Sequence, residues 1–190
     1  ANISYIWDMK KLILLLLFIP LISFSSFGQH IEPTNPNDDR EHMIYYNKGY
    51  EKFEAKDYYG AIYEFTKSIE AIDFIYPPAY INRALCKAKI GDLKSAFDDI
   101  DYIINAIGLD VGFFYYYRGV IKLENEKNYY GAIADFMKAI EIDGEVAKYR
   151  FKLGLAKEKI GDLNGACADW KKAARLGDAD AAKWVANQCN

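Results

Sequence analysis

The pentapeptide Tyr58-Tyr59-Gly60-Ala61-Ile62 returns, letter for letter, as Tyr129-Tyr130-Gly131-Ala132-Ile133, 71 residues on. A second string, Lys89-Ile90-Gly91-Asp92-Leu93, returns as Lys159-Ile160-Gly161-Asp162-Leu163 at a spacing of 70. Two unrelated strings repeating in phase commit the chain to an array. In an array each unit packs on its neighbours, and function is to be sought on a surface that units share rather than in one pocket. The 190 residues are 52% hydrophobic and 16% aromatic, too apolar for a disordered chain. The net charge of −3 is dispersed, without the basic stripe that nucleic-acid binding needs.

The N-terminus has a different character. Met9-Lys10-Lys11 precedes an apolar run from Leu12 to Ile22, broken only by Pro20, and then Ser23, Ser25, Ser26 and Gly28. A charged head, an apolar body and a small-residue exit predict a secretory signal peptide over residues 1–28, starting at Met9 and cleaved near Gly28-Gln29. The competing reading is an uncleaved membrane anchor, but the stretch from Leu12 to Phe27 is 16 residues, short of the roughly 20 that a spanning helix needs; after cleavage no stable membrane insertion is expected. The predicted location is periplasmic or secreted. Residues 29–41, with Pro33, Asn35, Pro36, Asn37, Asp38 and Asp39, read as a flexible linker.

From His42 onward apolar residues recur at helical spacing, cut by short Gly/Asp/Asn punctuation. At Gly91-Asp92 the glycine can end one helix in the left-handed conformation, and the aspartate can cap the next. Gly161-Asp162 repeats the device, and Asp57 and Asn128 are the caps expected at the other two turns. The predicted helices are 42–55 and 58–71, 77–90 and 93–106, 112–127 and 129–141, 146–160 and 163–175, with a ninth over 179–188. Connections this short predict antiparallel neighbours.

Aligned on the second helix of each pair, Ala61, Ala96, Ala132 and Ala166 form one column. Gly49, Ala84, Gly119 and Gly154 form the small column of the first helices, and Phe65, Ile100, Phe136 and Trp170 a large apolar column. Small residues where helices cross closely, with large ones beside them, are what tight helix pairing requires. This pattern resembles the tetratricopeptide-repeat (TPR) family over about residues 42–178. The fold it implies is all-α: a right-handed α-solenoid of about four helix-turn-helix repeats (42–75, 77–110, 112–145, 146–178) and a capping helix within 179–190. The family's proline near the repeat end is missing here. Its first-helix leucine survives only as Leu153, with Lys48, Arg83 and Arg118 elsewhere. Shared first-helix strings around Gly49 and Gly119, and around Leu85 and Leu155, predict that a two-repeat unit was duplicated.

The resemblance implies a concave groove lined by first helices and holding a peptide. By position its lining would be Tyr46, Tyr50, Phe53, Ile81, Asn82, Leu85, Phe113, Tyr116, Tyr117, Lys148 and Lys152. Tyrosine offers a large rigid contact with a hydroxyl at its tip, which suits a partner segment. Asn82 matches the central asparagine of the carboxylate clamp found in some family members. The other clamp positions carry Tyr46, Tyr50, Phe113 and Tyr117, so no clamp is expected.

No catalytic constellation, metal site or cofactor is expected. The histidines are His30 and His42 alone, no phosphate loop is present, and Asp98, Asp99 and Asp101 read as a solvated acidic face. The implied role is a non-enzymatic adaptor or scaffold for a protein or peptide partner. A structural or self-assembling envelope component is the alternative, and a homo-oligomer stays open. Of three cysteines, Cys86 reads as a buried thiol. Cys167 and Cys189 would come together if helices 163–175 and 179–188 are antiparallel, forming a disulfide or standing as two separate thiols.

Overall fold

A computed structural model describes residues 40–189. The predicted leader lies outside the described residues, and so does the linker apart from Arg40 and Glu41. Glu41 already belongs to the first helix, one residue earlier than the periodicity predicts.

Among the described residues there are nine α-helices and no strand. They are α1 (Glu41–Glu54), α2 (Tyr58–Glu70), α3 (Pro77–Lys89), α4 (Leu93–Ile107), α5 (Gly112–Ile121), α6 (Tyr129–Asp143), α7 (Ala147–Lys159), α8 (Leu163–Arg175) and α9 (Ala179–Gln188). A π-helical turn, Lys122–Glu126, extends α5. Helices pack mainly on their sequence neighbours, with lighter contacts from α1 to α3 and from α3 to α5.

The punctuation works through hydrogen bonds. The side chains of Asp57, Asp92, Asn128 and Asp162 accept from the amides of Gly60, Ser95, Gly131 and Gly165 at 2.9, 3.2, 3.0 and 2.9 Å. These bonds satisfy amides that a helix start leaves without an internal partner. Their own amides are used as well. Asp57, Asp92, Asn128 and Asp162 donate to the carbonyls of Lys52, Lys87, Lys122 and Lys157 at 2.9, 2.9, 2.9 and 3.0 Å. The third turn is one residue longer, and the π turn absorbs the extra residue while keeping this lock. The insertion falls between α5 and α6. It explains why Gly49 and Gly119 stand 70 residues apart while the pentapeptides that follow them stand 71 apart.

The core follows the columns. Ala61, Ala96, Ala132 and Ala166 are fully buried, as are Phe65, Ile100, Phe136 and Trp170. A Cβ at Gly49 would stand 2.7 Å from the Phe65 ring, and one at Gly119 2.7 Å from Phe136. These glycines let each ring lie flat against the partner backbone. Gly154 stands in the same relation to Trp170.

Asp99 departs from the solvated acidic face expected of it. It is buried between Arg83 (2.6 and 2.9 Å) and Lys87 (2.7 Å). Asp135 repeats the arrangement with Arg118 (2.8 and 3.1 Å) and Lys122 (2.8 Å). Asp169 repeats it with Lys157 (2.6 Å) and Arg150 (2.8 Å), the arginine coming from one turn earlier. A buried carboxylate is tolerated because two cations and their hydrogen bonds compensate its lost hydration. Asp98 keeps the expected solvated role, exposed and paired with Lys94 at 2.8 Å, and the Asp101 side chain is also open to solvent. Asp101 reaches back from α4 to Arg118 of α5 at 2.7 Å.

α9 closes the stack. Asp178 caps it through the Ala181 amide at 2.8 Å. Ala181 is fully buried, and the ring of Trp184 lies 4.8 Å from that of Trp170. Cys167 of α8 and Cys189 after α9 are disulfide-bonded, with Cα atoms 5.5 Å apart and a sequence separation of 22. Cys86 is a free, buried thiol.

Candidate partner-binding groove

The first helices α1, α3, α5 and α7 carry the lining that the columns predict, but its members do unlike things. Ile81 is not part of any surface. It is 3% exposed and belongs to the core with Ala84, Ile100 and Phe114. Its neighbour Asn82 takes the surface position, because consecutive helical residues point about 100° apart. Leu85 packs partly against two core clusters, and Phe53 lies beside Tyr58 with centroids 6.0 Å apart.

Tyr46 is half-buried against Phe65 and Tyr76, at 5.7 and 5.3 Å between centroids. Its hydroxyl accepts from Asn82 Nδ2 at 3.0 Å, tying α1 to α3. Burial pushes its hydroxyl well above the ordinary tyrosine value, so it stays protonated. Tyr50 is the open one, 40% exposed. Tyr117 of α5 is raised first by burial and then by the charge that Tyr50 would carry. The two aromatic patches lie two repeats apart, on α1 and α5.

The second patch is denser. Tyr117 stands edge-on to Phe113 (4.6 Å) and Tyr116 (5.1 Å). Tyr116 stacks on the buried Tyr149 of α7 at 4.9 Å. The ammonium of Lys148 lies over the rings of Phe113, Tyr116 and Tyr149 at 4.8, 5.2 and 5.6 Å. Lys152, on the same helix, is held by Glu124 at 2.6 Å, and Glu124 also meets Lys89 at 3.6 Å. These three residues bridge α3, the π turn and α7 along one edge of the face. Lys152 is thus occupied as a structural cation.

The solved structures with this architecture come from several bacteria. Over 77% of this chain and 80% of its own, a thermophilic TPR protein of Thermus thermophilus superposes with a TM-score of 0.64 at 15% identity. PilF of Pseudomonas aeruginosa gives 0.67 at 18% identity, over 79% of this chain and 68% of that one. MamA of Desulfovibrio magneticus RS-1 gives 0.58 at 22% identity, over 74% and 76%. The chain has the fold of a TPR solenoid. At these identities the likeness concerns the fold alone.

No family model matches the chain. A curated relative, UBA domain-containing protein 7 of Schizosaccharomyces pombe, is 29% identical over 117 residues, which is 60% of this chain. The match spans 16% of the length of that relative. Among the described residues no cluster of three or more His, Cys, Asp or Glu is arranged to hold a metal ion, and no helix is long and apolar enough to cross a membrane.

The sequence reading of this TPR solenoid missed the Asp99, Asp135 and Asp169 lattice. A signal for it was present. Each aspartate stands one residue before the large column, ahead of Ile100, Phe136 and Trp170, and 12 or 13 residues after a lysine of the first helix.

Proposed function

We propose that this chain is a non-enzymatic protein-interaction module that takes a peptide or protein segment along the face of its first helices. What supports the reading is the clustering of large rings on the first helices, with Tyr46 packed on Tyr76, Tyr50 on Phe53, and Phe113 and Tyr116 on Tyr117. Large rings with polar ends contribute much contact area for little lost side-chain freedom, which is what a binding face needs. The TPR fold supports the same reading by analogy, as a scaffold on which such faces are built.

Tyr46 and Tyr116 also hold the repeats together, so they are poor probes of binding. Tyr50 and Tyr117 are the better pair. Peptide-array capture with Tyr50→Ala plus Tyr117→Ala is expected to fall at least tenfold, with circular dichroism checking that the double variant stays folded, since Tyr117 also packs on the core. Capture that survives the double change at full strength removes the reading.

The compartment we propose is outside the cytoplasm. Support comes from Met9-Lys10-Lys11 and the apolar run that follows. N-terminal sequencing of the protein recovered from its native cell is expected to begin near Gln29, and a chain that still begins at Met9 in the cytosolic fraction counts against export.

A second reading, self-assembly, is favoured by Tyr59 and Tyr130, the second residue of each repeated pentapeptide. They are 74% and 73% exposed at equivalent places on α2 and α6. Light scattering on Tyr59→Ser plus Tyr130→Ser decides it. Self-assembly predicts that a native oligomer falls to monomer, and a native monomer ends that reading.

A further inference from the structure

Resting on the groove reading above, we propose that Lys148 and the rings of Phe113, Tyr116 and Tyr117 form an acceptor subsite for an acidic side chain. The segment bound in the groove is then an acidic peptide with apolar flanks.

The argument starts from where the cations go. Arg83, Lys87, Arg118, Lys122, Arg150 and Lys157 are consumed by the buried aspartates. Lys89 and Lys152 share Glu124. Lys148 has no carboxylate at ion-pair distance among the described residues, and its ammonium rests on three aromatic faces instead. Asp143 is the acidic group whose field reaches it. That carboxylate is already used, accepting from the Gly112 amide at 3.0 Å and the Tyr149 hydroxyl at 2.7 Å.

A cation over rings is attracted to their negative faces, but ring contact replaces only part of its hydration. The imbalance shows in Lys148 itself, whose pKa burial lowers against the opposing pull of Asp143. The start of α7 adds to it. Val146 is at its N-cap position without a side-chain cap, and Lys148 stands in its first turn, where the helix dipole disfavours a cation. An incoming carboxylate answers all of these at once.

Charge complementarity rests on that one residue. Lys89 and Lys152 are already paired with Glu124, and the carboxylates of Glu124 and Asp178 act on Tyr116, so Lys148 is the cation of this patch left to receive an acidic side chain. The rings on either side of Lys148 specify apolar residues next to the acidic one.

The geometry also favours a side chain over a chain end. A terminal carboxylate brings a backbone amide and a carbonyl with it, and aromatic faces would leave both without partners. An aspartate or glutamate brings a hydrocarbon stem, which the rings of Phe113 and Tyr117 can cover.

The test uses arrays of capped twelve-residue peptides, acetylated and amidated, in which each Glu or Asp peptide has a Gln or Asn twin and a twin with a free C-terminus. Bound peptides are expected to carry an acidic residue beside apolar ones. The Gln twin is expected to bind about tenfold more weakly or worse, as for loss of a charge-assisted hydrogen bond. Lys148→Gln should erase the difference between twins, and Lys148→Arg should keep it. Binding that depends on Tyr50 and Tyr117 without acidic preference overturns the subsite and leaves the groove. So does an acidic preference that survives Lys148→Gln. Binding confined to free C-termini also overturns the subsite, since the occupant is then a chain end. Binding indifferent to the Tyr50 and Tyr117 changes, or no binding at all, sinks the groove and the subsite together.

Discussion

Asp135 illustrates how single residues set the energetics here. Its carboxylate is 4% exposed and neutralises Arg118 and Lys122 together. Removing it leaves Lys122 without its carboxylate and Arg118 with Asp101 alone in a half-buried place, which costs on the order of 3 kcal/mol. Asp135→Ala should therefore lower the urea midpoint by a large fraction of the total stability. Asp98→Ala, whose partner Lys94 is even more exposed than Asp98 itself, should leave the urea midpoint essentially unchanged. Equal effects at the two sites would mean that the lattice is decorative. Cys86 gives a chemical check on packing. Burial pushes its thiol up to about 12 from an ordinary 9. As pH rises past 9 the unfolded chain loses this proton first, so the thiol's contribution is intact below pH 9 and erodes between about 9 and 12. At pH 8 the folded protein should show no reactive thiol to Ellman's reagent. One should appear in urea, and three after reduction.

The helix boundaries were largely legible in the sequence, because each turn is written in residues with one job. Asp57, Asp92, Asn128 and Asp162 cap where they were expected to. The turns before them alternate. Gly91 and Gly161 take left-handed conformations at φ 87° and 83°, while Lys56 and Lys127 take the same region at 61° and 59°. A side chain there costs about 1–2 kcal/mol that glycine does not pay. Lys127→Gly should raise stability by about 1 kcal/mol and Gly161→Lys should lower it by a similar amount, read as shifts in urea midpoint at constant slope. The π turn was legible only as an extra residue near Asn125 to Asn128. Its form depends on the Lys122 carbonyl holding the Asn128 amide and on Asn125 Nδ2 donating to the Ala88 carbonyl at 3.2 Å, 37 residues away. Ile81 failed as a surface residue for a related reason. The edge between buried and open faces of α3 is set by how the neighbouring repeats rotate against it, and a pattern within one helix does not carry that angle. Lys152 likewise met a partner, Glu124, from another element 28 residues away.

At the scale of the whole molecule two periods are superimposed. The buried aspartates recur at every repeat from the second to the fourth, whereas the left-handed lysines and the Gly-against-Phe crossings at Gly49 and Gly119 recur at every second one. The longer period is what a copied pair of repeats would leave, and the shorter one is what stacking demands of any unit. A stack of this kind resists pulling only as strongly as its weakest neighbour contact, so tension applied at its two ends should peel helices off in succession. The disulfide between Cys167 and Cys189 changes the rope rather than the knots. It withholds the 22-residue span between them from the extended chain. At about 3.4 Å per residue that is roughly 70 Å of slack once the 5.5 Å gap between the two Cα atoms is allowed for. In an optical trap, the fully stretched protein should lengthen by about that amount when a reductant is added. An unchanged length would mean that the final helix is moored to the stack by packing alone.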